Sequence, residues 1–83
     1  MISVVLPTYN EALNIEPLII EIQKYISMQD QIVVIDDNSP DQTSQIVKNL
    51  QTKFSNIKLI VRKNEHGLTS AIQRGIDEAS GEV

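Results

Sequence analysis

The chain has 83 residues, 41% hydrophobic and 22% charged, which makes one small globular domain whose core only just offsets chain entropy. Its formal charge of -4, with seven scattered Lys and Arg, excludes the clustered basic footprint of a nucleic-acid binder, and the lack of cysteine excludes disulfide scaffolding, thiolate catalysis and Cys-ligated zinc. No apolar run reaches the ~20 residues of a membrane span, and no basic leader precedes the first strand, so cytoplasmic residence is the expectation.

Ile2 to Leu6, a short β-branched run, predicts the first strand, and Pro7-Thr8-Tyr9-Asn10-Glu11 halts it. Its ligand-facing loop spans Pro7 to Ala12. Asn14 then caps a helix, with Pro17 in the first turn where a missing N–H costs nothing. Apolar Ile15, Leu18, Ile19, Ile22 and Ile26 follow helical spacing and predict that this helix runs to near Met28. Gln29 to Gln31 bring the chain back.

Ile32, Val33, Val34 and Ile35 form an unbroken branched run that meets Asp36 and Asp37, then Asn38, Ser39, Pro40 and Asp41. Such a run reads as a strand buried on both faces, with its carboxylates at the C-terminal tip. Ser39 as N-cap, Pro40 at the first helical position and Gln42 completing a capping box predict a second helix to about Lys53, with Ile46, Val47 and Leu50 on its apolar face. Ile57 to Val61 predicts the third strand, and Arg62 to Gly67 a polar loop. Leu68, Ala71, Ile72, Ile76 and Ala79 space out a third helix ended by Gly81; Glu82 and Val83 read as the start of another strand.

Three β-α units in this order predict an α/β, Rossmann-like, doubly wound parallel sheet with flanking helices and right-handed crossovers. Strand order three, two, one leaves the far edge of strand one open, either to a fourth strand or to self-association. On that ground residues 1–83 are expected to be the front part of a larger domain.

In such sheets ligands bind at the strand tips, where the loops form a crevice. The first loop contains no glycine, so neither the dinucleotide fingerprint nor a P-loop is present, and His66 has no Ser-His-Asp or zinc partners and reads as a solvated loop residue. Tyr9 in a tip loop offers a flat face for stacking a base, worth ~1–3 kcal/mol by analogy with nucleic-acid stacking; the bland alternative is a ring packed over the helix end. Glu11 is placed to accept ribose hydroxyls, or simply to favour a helix N-terminus. Adjacent Asp36 and Asp37 point to opposite faces, so they divide labour: one accepts the imino N–H of uracil or guanine, the other braces the loop. The plain alternative is that both only anchor the turn.

VVLPTYNEALNI, VVIDDNSPDQT and HGLTSAIQRGIDEASGEV in register strongly resemble the N-terminal part of family 2 glycosyltransferases of the GT-A fold, closest to the polyprenol-phosphate (dolichol-phosphate) mannosyl- or glucosyltransferase branch. The resemblance covers essentially the whole chain. It implies an inverting hexosyl transfer from a UDP- or GDP-sugar to a polyprenyl phosphate or saccharide acceptor, such as serves cell-wall or glycan biosynthesis. It places Pro7, Tyr9 and Glu11 at the nucleoside, with Tyr9 beside the base and Glu11 near the ribose. Ile35 and Asp37 match the second contact region, with Asp37 reading the base and Asp36 bracing the loop. Gly67 to Gly75 match a third loop and helix near the donor phosphates. The Asp-X-Asp that binds Mg²⁺ or Mn²⁺ in such proteins falls after the position of Val83, so these residues contain no catalytic or metal-binding residue of the family and the 83-residue piece alone is expected to be inactive. The complete protein is expected in the cytoplasm or at the cytoplasmic face of a membrane.

Two other functions fit less of the chain. One is a non-catalytic nucleotide-binding or interaction module of the same fold, told apart by whether an Asp-X-Asp follows. The other, a receiver-like phospho-acceptor, is remote because its acidic pair should follow the first strand.

Overall fold

The computed structural model describes residues 1–83, and it has the α/β architecture expected. Strands β1 (Ser3–Thr8), β2 (Gln31–Asp36) and β3 (Ile57–Val61) alternate with helices α1 (Ile15–Gln23), α2 (Thr43–Gln51) and α3 (Leu68–Glu78). The strands are all parallel and lie in the order β1-β2-β3, with β2 in the middle. Register pairs Leu6 with Val34, Thr8 with Asp36, and Asp36 with Val61, so the three tips end level with one another.

Why β2 takes the centre is plain from its composition. Successive residues of a strand point to opposite faces, and here both sets are apolar. Ile32 and Val34 join Ile15, Ile19, Val47, Leu50 and Ile57 in the core beneath α1 and α2. Val33 and Ile35 turn the other way and meet Ala71 of α3, with Val5 and Ile60 beside them. All four are completely buried. Gly75 lets α3 lie tightly on this second face: a Cβ there would stand 2.3 Å from Val5 Cγ1.

The elements depart from expectation at four boundaries, one of them the end of α3, which stops at Glu78 with Ala79 already extended and does not run on to Gly81. β1 continues past Leu6 to Thr8, because Pro7 and Thr8 stay in parallel register with Ile35 and Asp36. α1 stops at Gln23 rather than near Met28. Lys24 and Tyr25 donate their amides to Glu21 and Ile22 in a tightened last turn, and Asp30 then ties the return loop by accepting from the Ser27 amide at 2.9 Å. Ile26 still packs against the core, so its helical spacing reflected burial and not helix.

The third departure is at α2, which begins at Thr43, after a left-handed Gln42 with φ 72°, and not behind a Ser39 cap. The Ser39 hydroxyl is drawn away to Asp36 and to the first loop. Asn14 likewise makes no side-chain cap on α1 and donates to the Glu11 carboxylate instead.

Past α3, Gly81 donates to Ser3 Oγ at 2.8 Å, and Glu82 forms a parallel bridge with Ile2 on the side of β1 away from β2. Ser3 donates its amide to the Glu82 carbonyl at 2.6 Å. Glu82 thus pairs with the foot of the β1 edge that the topology leaves open. No helix is long and apolar enough to cross a membrane.

Candidate functional site

The parallel ladder carries over into the loops beyond the strand tips. Asp37 donates its amide to the Thr8 carbonyl at 3.2 Å, and Arg62 donates its amide to the Asp36 carbonyl at 2.8 Å. The first residues past β2 and β3, Asp37 and Arg62, are thereby set side by side.

Asp36 and Asp37 part company there. Asp36 is fully buried and turns toward the loop that follows it. Its carboxylate accepts from the Ser39 hydroxyl at 2.5 Å, the Ser39 amide at 3.1 Å and the Thr8 hydroxyl at 3.3 Å. Three donors balance the desolvation of one buried carboxylate, and they leave it turned away from any ligand.

Asp37 meets Arg62 in a bidentate pair, Nε to Oδ1 at 2.7 Å and Nη2 to Oδ2 at 2.9 Å. The Arg62 side chain is only 1% exposed and that of Asp37 14%. Further Arg62 donors go to the start of α3: Nη1 to Ser70 Oγ at 3.0 Å and Nη2 to the Gly67 carbonyl at 3.1 Å. The paired carboxylate holds this guanidinium more firmly charged than usual, against burial, which acts the other way. Each Asp37 oxygen gives one lone pair to Arg62, so the carboxylate retains acceptor capacity toward the open side.

That open side is a cleft of about 380 Å³ lined by Pro7, Thr8, Tyr9, Asp37, His66 and the start of α3. Tyr9 is 56% exposed, its ring free to cover a planar ligand. Of the residues singled out from the sequence, Pro7, Tyr9 and Asp37 therefore share one cleft. Glu11 does not reach it: Glu11 borders a smaller hollow of about 200 Å³ on the α1 side of β1, and Pro7 and Thr8 line both. Ile35 is fully buried under Ala71 and lends the cleft no surface. His66 is exposed, as expected of a solvated loop residue, and also stands in the cleft wall.

Missed altogether was Arg62, treated as the first residue of a polar loop. The signal was available: a parallel register places the residue after β3 next to the residue after β2, and an arginine opposite an acidic pair is its natural counter-ion. No three His, Asp or Glu side chains converge as a metal cage. The residues present do not fit a divalent metal.

An open parallel sheet whose loops form a cleft at the C-terminal strand tips defines an α/β domain that takes its ligand there. The chain belongs to glycosyl transferase family 2, whose profile matches residues 3–83. It is 45% identical over 83 residues to a dolichol-phosphate mannosyltransferase of Pyrococcus furiosus, covering 99% of this chain and 23% of that protein. Among solved structures it resembles the mannosyltransferase PcManGT from Pyrobaculum calidifontis, in complex with GDP-Man and Mn²⁺, at a TM-score of 0.82 and 28% identity over 95% of this chain and 24% of that one. It also resembles S. aureus TarS 1-349 at a TM-score of 0.85 and 31% identity, covering 96% of this chain and 24% of that one. The fold is therefore GT-A, and the chain spans about a quarter of the length of these relatives.

Proposed function

We propose that this chain is the donor-nucleotide part of a glycosyltransferase that moves a hexose from a UDP- or GDP-sugar to a polyprenyl phosphate or saccharide acceptor with inversion. The observation that carries the reading is that Tyr9 and Asp37, from adjacent strand tips, line one cleft. In it the Tyr9 ring stacks on the base and Asp37 accepts the imino N–H that uracil and guanine both present. Pro7 shapes the floor between the two hollows, and Glu11 takes the ribose hydroxyls from the neighbouring one. Ile35 acts from beneath, as the buried support of Asp37. Asp36 braces the loop.

Arg62 belongs to this reading as the group that fixes the Asp37 carboxylate. A pinned, charge-assisted acceptor keeps its orientation at no entropic cost when the base arrives. The relative solved with GDP-Man and Mn²⁺ supports a nucleotide donor and a divalent metal for such a protein. That metal, Mg²⁺ or Mn²⁺, would be held by residues other than these 83.

Isothermal titration of the full-length protein with UDP and with GDP tests the reading. One of the two binds, and Tyr9→Ala and Asp37→Asn each weaken it. Undiminished affinity in both variants would remove the site from this cleft.

A further inference from the structure

The loop that carries Tyr9 and Glu11 leaves three successive amides, those of Asn10, Glu11 and Ala12, outside any helix or strand, and none of them is satisfied within its own loop. Each donates to a side chain of the β2–α2 connection or of the first residue of α2: Asn10 to Ser39 Oγ at 2.9 Å, Glu11 to Thr43 Oγ1 at 3.1 Å and Ala12 to Asp41 Oδ2 at 3.0 Å. The accepting hydroxyls are themselves oriented by carboxylates. Ser39 gives its proton to Asp36, and Thr43 gives its proton to Asp41. Two carboxylate-hydroxyl-amide rungs thus fasten one loop to the other, and Asp41 adds a direct contact. Asn10 itself sits at φ 55°, a left-handed conformation that the rungs hold in place.

We infer that Asp41 and Thr43 are positioning residues of the nucleoside site, holding the Tyr9–Glu11 loop at the height where the Tyr9 ring faces Asp37 across the cleft. Asp41 spends Oδ1 on the Thr43 amide at 3.2 Å and on its hydroxyl, and Oδ2 on Ala12, so it serves the loop and not the ligand. Thr43 is fully buried and touches no cleft surface. The Asp41 carboxyl is held below its usual range by the Thr43 hydroxyl first and the Ala12 and Thr43 amides after it, as expected of a charged acceptor that orders its donors. The inference rests on the nucleotide reading of the cleft.

The experiment is a double-mutant cycle on the full-length protein, titrated with UDP and GDP. Thr43→Val keeps the volume and removes the hydroxyl; it raises Kd about tenfold, the factor that loss of one hydrogen bond with a charged partner corresponds to. Thr43→Ser restores the wild-type value, because the rung needs only the hydroxyl. Asp41→Asn, which keeps the shape and loses the charge, gives the same answer should Thr43→Val fold poorly. In a Tyr9→Ala background either change has a clearly smaller effect than in the wild type, since the loop then has only Glu11 left to place. A purely structural role predicts full additivity with Tyr9→Ala, and additivity, or wild-type affinity in Thr43→Val, overturns the inference. If the wild-type protein binds neither nucleotide, the donor-site reading falls and this falls with it. If it binds and Tyr9→Ala weakens binding while the cycle is additive, only the positioning role is lost.

Discussion

The loop after β2 is fastened on both flanks, by opposite means. Toward the first loop the attachment is spread over several small contacts, with Ser39, Asp41 and Thr43 each taking one backbone amide. Toward the third loop it is concentrated in a single guanidinium, with Arg62 holding Asp37 on one side and Ser70 and Gly67 on the other. The spread attachment tolerates loss of a part, because the neighbours remain. The concentrated one does not: removing Asp37 strands the Arg62 charge where water does not reach. A rigid acceptor beside an exposed ring is what this contrast provides.

The contrast is most easily broken at Asp37. Asp37→Ala removes the bidentate counter-ion of the buried Arg62, leaving only Glu65 at 3.8 Å, and is expected to destabilise the fold by about 3–5 kcal/mol, read from urea unfolding; adding Arg62→Met recovers much of the loss. Gly75→Ala controls for plain packing beneath the cleft. It drives a methyl into Val5 Cγ1 and costs about 1–3 kcal/mol in the same measurement, with no selective effect on nucleotide. On the distributed flank, Thr43→Val is expected to cost only about 1–2 kcal/mol of stability, because Asp41 keeps its bonds to Ala12 and to the Thr43 amide. Tyr9→Ala barely moves the unfolding midpoint, its ring being more than half exposed, yet weakens nucleotide by about 1–3 kcal/mol in titration calorimetry.

Acid gives the smallest effect. Asp41 is depressed by the Thr43 hydroxyl, and Glu78 by its hydrogen bond from Lys58. A carboxylate whose pKa is lower folded than unfolded lends stability above its unfolded value, near pH 4, and that contribution fades as pH falls through the folded value. Melting temperature followed from pH 6 to pH 3 therefore declines, and Asp41→Asn flattens part of the slope.

How much of this could be read in advance varied with how local the cause was. Strands β2 and β3 announce themselves, since a run such as Ile32 to Ile35 or Ile57 to Val61 is both branched and too short for a helix. The parallel order followed from alternation of elements alone. The end of α1 did not, because Ile26 satisfies the helical spacing while packing from a turn. The Ser39 cap was misread for the same kind of reason: serine, proline and glutamine at capping-box spacing are a local signal, and Asp36 and Asn10 outbid it from across the tips. At the site, Tyr9 and Asp37 were legible as a ring and an acceptor on neighbouring tips. Ile35 was placed by likeness and not by direction, and strand alternation turns it inward beneath α3; Glu11 was read from its loop, which opens to the neighbouring hollow. Arg62 stayed hidden because its partners are all brought to it by the sheet.

The bridge between Ile2 and Glu82 has a practical side. It brings Met1 and Glu82 together at the foot of β1, while Tyr9 stands beyond the head of the same strand, roughly 20 Å away for six extended residues. A fluorophore or surface tether placed at residue 1 would therefore leave the cleft facing solution, and immobilised titrations should report the same affinities as free ones.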